Sequence, residues 1–157
     1  MLPVEFIEHV SPMMNYGYIQ KTWLEKHFKP ICKKFRLKMS DLSLILLLHI
    51  NHEIHTAKDV SKFSDLKRGN ISLIVEYLSC RGMIEQKSIE GDRRMKELVL
   101  TDKCDELLEE ADEVLCFHLK TLFEGISEED LDNCKKVFMK MYENLLKSGS
   151  KVIAEEK

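Results

Sequence analysis

Residues 56–101 read TAKDVSKFSDLKRGNISLIVEYLSCRGMIEQKSIEGDRRMKELVLT, and the order of elements within them decides the fold. Thr56 has the chemistry of a helix N-cap, with Asp59 three residues on as its capping-box partner. A short helix over Ala57–Phe63 follows, with Val60 and Phe63 expected to face inward. The polar turn Ser64-Asp65-Leu66-Lys67 leads into a second helix over Arg68–Cys80. Its apolar residues Ile71, Ile74, Val75 and Leu78 recur at the spacing of one α-helical stripe. Gly82 suits the left-handed residue that ends such a helix. Residues 83–89 and 96–100 then alternate as strands around a turn at 90–94, and Thr101 is placed to cap the next helix.

Two short helices followed at once by a hairpin are the plan of a winged helix-turn-helix. The flanks extend it. Ser40 reads as an N-cap, with Asp41 in the first turn, opening a helix to Ile50 so apolar that most of its circumference must be buried. Ahead of it, residues 6–35 carry Ile7, Val10, Met14, Tyr18, Trp23, Leu24, Phe28, Ile31 and Phe35 at helical spacing, with a kink or break expected at Pro12 and Pro30. After Thr101, Leu107, Leu108, Ala111, Val114, Leu115, His118 and Leu122 mark another helix, closed by Gly125. Ser127 with Asp130 forms a second capping box, opening a last helix to about Leu146 before a polar tail at 148–157. The reading is one domain over 1–147: α+β but mostly α, with about six helices and a two-stranded wing.

Composition narrows the function classes. A chain of 157 residues can bury a sizeable core without staples. Five cysteines without a CxxC pair exclude a disulfide framework and a zinc ribbon, and predict free thiols in a reducing compartment. The longest apolar run, from Leu42 to Ile50, already contains Ser43 and His49 and is too short to span a membrane. With no basic-apolar leader at the start, the expected location is the cytoplasm. Residues 56–96 hold nine Lys/Arg against six Asp/Glu, although the whole chain carries −3. A basic module in an acidic chain points to contact with a polyanion. There is no Gly-rich phosphate loop, nucleophile elbow or HExxH pair, so no enzyme and no cofactor is expected.

From Thr56 to Thr101 the chain resembles the core of the MarR (multiple-antibiotic-resistance) family of transcriptional regulators. The likeness is carried by the helix at 57–63, the recognition-type helix from Arg68 to Leu78 and the corner Cys80-Arg81-Gly82-Met83-Ile84-Glu85. The wing residues Asp92-Arg93-Arg94 and the Leu100-Thr101 junction complete it. Two positions depart from the family pattern, with Leu73 where a basic residue is frequent and Cys104 where glycine is usual. The resemblance implies a homodimer formed by the terminal helices at 6–36 and 127–147, double-stranded DNA as partner, and repression of a promoter relieved by a small effector.

The residues support that reading chemically. A recognition helix enters the major groove N-terminus first, so Ser64, Lys67, Arg68, Asn70 and Ser72 are the DNA-contact candidates. Asn pairs with adenine and Arg with guanine, while Lys holds phosphate. Arg93 and Arg94 would reach the minor groove from the hairpin, with Asp92 structuring the wing. The resemblance further implies a cleft where the terminal helices meet the winged module, in which an apolar or aromatic effector would meet Tyr16, Tyr18, Trp23, His27 and Met39. Three alternatives stay open: a metal sensor using His49, His52 and His55, a redox sensor using Cys32 activated by Lys33 and Lys34, and a winged-helix module that docks a protein.

Overall fold

The computed structural model describes residues 4–155 other than Asp65, Glu90 and Gly91, with side chains between residues 15 and 148 apart from those three and residues 92–94. The elements in order are α1 (Val4–Phe35), α2 (Met39–Ile50), α3 (Ala57–Phe63), α4 (Arg68–Cys80), β1 (Ile84–Ile89) and β2 (Asp92–Leu100). A 3-10 turn (Asp102–Cys104), α5 (Asp105–Leu122) and α6 (Glu128–Glu155) follow. This is a mostly helical winged helix. The chain divides into two compact units, one ending at His118 and the other starting at Leu119.

In the first unit α2 is the central helix, as its apolar sequence demands. Leu42, Leu44 and Ile45 are fully buried, and α2 packs on α1, α4 and β2. Each such side chain contributes about 1.5–3 kcal/mol through burial. Ile31 from α1, Val60 from α3, Ile71 and Leu78 from α4, Ile84 from β1 and Leu107 from α5 close the same core. Lys34 ties α1 to α5 by bonding Glu106 at 2.7 Å and also Glu110; these carboxylates push its pKa up to about 12.

The caps explain where elements start and stop. Thr56 Oγ1 accepts from the Asp59 backbone N–H at 3.2 Å, while the Asp59 carboxylate accepts from the Thr56 N–H at 3.1 Å. Gly82 sits at φ +67°, and the Gly82 and Met83 N–H groups donate to the Ser79 and Leu78 carbonyls, both at 2.9 Å. That pair of bonds is the Schellman ending of α4. Strands β1 and β2 are antiparallel, with Ile84 opposite Leu100 and a bulge between Ser88 and Ile89. A bridge between Thr56 and Glu97, with the Leu98 N–H donating to the His55 carbonyl at 2.7 Å, lays the approach to α3 along β2.

Several expectations need correction. Neither Pro12 nor Pro30 breaks α1, which runs unbroken for 32 residues. Around Pro30, the buried Phe28, Ile31 and Cys32 hold the helix against the loss of one N–H. Helix α2 starts at Met39 with Lys38, not Ser40, as N-cap, because Asp41 turns back to accept the Lys38 N–H at 2.8 Å. Strand β2 begins at Asp92, inside the expected turn, and α5 begins only after a 3-10 turn. Thr101 does not cap with its side chain; its hydroxyl donates to the Gly82 carbonyl at 2.6 Å. Phe63 is exposed rather than inward, as is Tyr18. In the second unit α6 continues to Glu155, past the expected end near Leu146.

Candidate nucleic-acid interface

The sequence of α4 sorts its side chains cleanly. Ile71, Ile74, Val75 and Leu78 are buried, whereas Arg68, Asn70, Ser72, Leu73 and Glu76 face out. The first turn holds no acidic residue, so the positive end of the helix dipole is uncompensated there. Lys67 is the N-cap residue, and its carbonyl accepts from the Asn70 N–H at 2.8 Å. Among the described residues, no ion pair engages Lys67 or Arg68. The Ser72 hydroxyl makes only a 3.4 Å contact to the Arg68 carbonyl, which leaves it available to a ligand.

Ser64 stands apart from these. It is half-buried at the C-cap of α3, donating to the Val60 carbonyl at 2.7 Å and accepting from the Leu66 N–H at 3.4 Å. Its hydroxyl shapes the turn between α3 and α4. The side chains of Asp92, Arg93 and Arg94 lie outside the described residues; their backbone opens β2, with Asp92 opposite Ile89. Lower on the wing, Lys96 Nζ donates to Ser88 Oγ at 2.7 Å across the strands.

A groove of about 540 Å³ runs along α4, bordered by Arg36, Lys38, Ser40, Asn70, Leu73 and Tyr77. Arg36 and Lys38 are exposed cations beside the recognition-type helix that the sequence reading missed. Their signal was the run Lys33-Lys34-Phe35-Arg36-Leu37-Lys38, with four cations in six residues. The groove floor is tied by the end of α1. Tyr77 Oη donates to the Arg36 carbonyl at 2.9 Å, and Arg81 Nη1 donates to the Phe35 and Arg36 carbonyls at 2.8 and 3.2 Å. Arg36 itself holds φ +54°, a left-handed exit from α1.

A second cavity, of about 570 Å³, opens between α1, α2 and α5, with Leu24, Phe28, Met39, Leu46, Leu47 and Leu115 in its wall. Of the five residues proposed for an effector pocket, Met39 alone lines it. Trp23 and His27 stack on each other at 3.6 Å beside Phe117 and His118, and Tyr16 and Tyr18 are exposed.

The alternative sensing sites take different roles. Cys32 is buried, and its pKa is raised by desolvation and by Asp41; Lys34 is occupied with Glu106 and Glu110 rather than activating the thiol. His49 meets Asp112 at 3.2 Å, and His52 and His55 are exposed. Among the described residues no group of three or more His, Cys, Asp or Glu could hold a metal ion, and no helix is long and apolar enough to cross a membrane.

No family model matches the chain. Solved structures do. A MarR family transcriptional regulator from Streptomyces coelicolor, in complex with DNA, superposes with a TM-score of 0.72 at 15% identity, over 92% of this chain and 94% of that one. A putative MarR family regulator from Listeria monocytogenes, complexed with 26mer DNA, gives 0.69 at 17% identity, over 87% and 89%. This chain has the MarR fold. A third MarR regulator, from Methanosarcina mazei Go1, gives 0.62 at 21% identity, over 91% and 98%. The likeness therefore takes in the terminal helices as well as the winged module. Within this fold, α4 is the second helix of the helix-turn-helix and β1–β2 the hairpin that follows it.

Proposed function

We propose that this protein is a MarR-family transcriptional regulator that binds duplex DNA sequence-specifically as a homodimer and catalyses no reaction. The observation that carries this reading is the outer face of α4, with Lys67, Arg68, Asn70 and Ser72 exposed above a fully buried apolar stripe. Lys67, with Arg36 and Lys38 beside the helix, would hold phosphates and fix the register, while Arg68 and Asn70 would meet base edges in the major groove. Arg93 and Arg94 would extend from the wing into the minor groove, with Asp92 ordering the hairpin. Two of the similar structures carry DNA, which supports the assignment by analogy of fold.

The dimer is proposed from α6, where Val137, Phe138, Met141 and Leu145 are all exposed on the single chain. Such a row needs a partner surface. Two-fold symmetry then sets the recognition helices on half-sites about one turn of DNA apart. Occupation of a promoter would repress it, and a small apolar or aromatic effector would release the DNA. The cavity of about 570 Å³ beside α1 and α2, apart from most of the residues first nominated, is the better place for that effector.

The deciding experiment selects bound fragments from a genomic library and measures affinity against salt. Specific binding whose affinity falls steeply with ionic strength is the expected result. Capture of proteins with no salt-dependent affinity for any duplex would overturn it in favour of a protein-docking module. Sedimentation should give a dimer, and Phe138→Glu with Leu145→Glu should give a monomer.

A further inference from the structure

Leu73 is an anomaly on α4. It is 65% exposed, in the middle of an outer face otherwise built from Arg68, Asn70, Ser72, Glu76 and the 41% exposed Tyr77. The core does not need it, because Ile71, Ile74, Val75 and Leu78 already fill the buried side of the helix. A protein-docking role would call for a larger contiguous apolar patch, whereas beside Leu73 on α4 only Tyr77 offers apolar surface, with its hydroxyl tied to the Arg36 carbonyl; Asn70 and Glu76 are polar, and Gly69 one turn earlier opens onto empty space. Cations stand on both sides, with Lys67 and Arg68 at the start of the helix and Arg36 and Lys38 across the groove. A lone aliphatic group within a cationic, hydrogen-bonding surface matches one chemical target in duplex DNA. That target is the 5-methyl group of thymine, the one apolar feature of the major-groove edges.

Resting on the DNA-binding reading above, we infer that Leu73 is a specificity-determining residue that reads a thymine methyl group. Asn70 and Leu73 share a helix face and lie about 4.5 Å apart along the axis, between one and two base-pair steps of about 3.4 Å. Asn70 is suited to accept from and donate to an adenine edge, and Leu73 then packs on the methyl of a thymine at the same or the adjoining pair. The pair of residues thus prefers an A/T-containing element in each half-site. An arginine or lysine at position 73 would instead select a guanine or a phosphate there.

The test uses a randomised duplex library to obtain a preferred sequence for the wild-type protein. That duplex is then resynthesised with each thymine replaced, one at a time, by deoxyuridine, which removes the methyl group and nothing else. Wild-type affinity should fall about fourfold at one thymine per half-site, the value of one methyl-sized group removed from water. Leu73→Ala, at an exposed site that leaves the core intact, should bind thymine and uracil duplexes equally while keeping its salt dependence. Equal wild-type affinity for all the uracil duplexes would overturn the inference, as would a methyl preference that survives in Leu73→Ala; both leave DNA binding standing. Failure of the wild-type protein to enrich any sequence or to bind duplex in a salt-dependent way would overturn the DNA-binding reading and this inference with it.

Discussion

The Arg81 guanidinium donates to the Phe35 carbonyl at 2.8 Å, joining the C-cap of α4 to the last residue of α1. Helix-terminal carbonyls lack intrahelical partners, so a planar cation here satisfies acceptors that water would otherwise take. The same guanidinium lies 5.6 Å from the Tyr77 ring centre and donates to Tyr77 Oη at 3.2 Å. Arg81→Ala should therefore lower stability by about 1–2 kcal/mol. Arg81→Lys should recover only part of it, because the lysine chain is shorter and its ammonium lacks the flat guanidinium that lies near the Tyr77 ring. Urea unfolding measures both; equal stability of all three proteins would show that the tie is idle.

Arg68→Ala should weaken binding to the selected duplex by about 1–3 kcal/mol and relax preference at one base position. Lys67→Ala should instead weaken all sequences alike and shallow the salt dependence by about one counterion. Arg94→Ala should cost affinity on the scale of Arg68→Ala with an unchanged fold, and Asp92→Ala should weaken binding through the shape of the wing. Fluorescence anisotropy across a salt series separates these outcomes, and unchanged affinity for Arg94→Ala would remove the wing from the interface.

Asp59 titrates below the usual aspartate range, chiefly because the Thr56 hydroxyl bonds its carboxylate, with help from backbone N–H groups and Lys62. A folded-state pKa below the unfolded one contributes stability that is present above the unfolded value and is lost as pH falls through the folded value. The stability difference between wild type and Asp59→Asn should thus be full at neutral pH and shrink on acidification below about pH 4. Thermal unfolding at several pH values reads it, and a difference independent of pH would mean that the carboxylate charge has no part in the cap.

Cys32 and Cys104 are buried, and burial pushes both thiols up from their ordinary pKa. The thiolate is the reactive form, so both should resist iodoacetamide in the native protein. Exposed Cys80 should label readily. Mass spectrometry of peptides after timed labelling checks this, and rapid native modification of Cys32 would reopen its role as a redox sensor.

Most of the winged module was legible because its signals are local. The bounds of α3 and α4, the Thr56 cap and the Gly82 ending all follow from side-chain type and short-range spacing. The errors arose where a distant partner or a neighbouring element decides. Pro30 sits in a helix anchored by core residues on both sides, and Phe63 lies at the last position of a helix whose inward place is already filled by Val60. Lys38 displaced Ser40 as cap because Asp41 found its backbone N–H. Arg36 and Lys38 were visible as a basic run, but only packing of α1 against the end of α4 brings them beside Asn70. Of the apolar and aromatic residues nominated for an effector, Met39 lies in the wall of the cavity between α1, α2 and α5.

The hydrogen bond from Leu98 to the His55 carbonyl closes a circuit of fewer than fifty residues, and the bonds from Thr101 to Gly82 and from Cys104 to Met83 fall in or beside it. The Lys34 bonds to Glu106 and Glu110, by contrast, join positions more than seventy residues apart. Loop closure costs more entropy as the span grows, so the order of assembly is written into these distances. The winged module should gather first and the contact of α1 with α5 should form afterwards, with Lys34→Ala speeding unfolding more than it slows refolding. Stopped-flow kinetics of that variant would reverse this order if refolding, rather than unfolding, carried the change. In a newly made chain the face of α1 that meets α5 would then stay uncovered until α5 has left the ribosome.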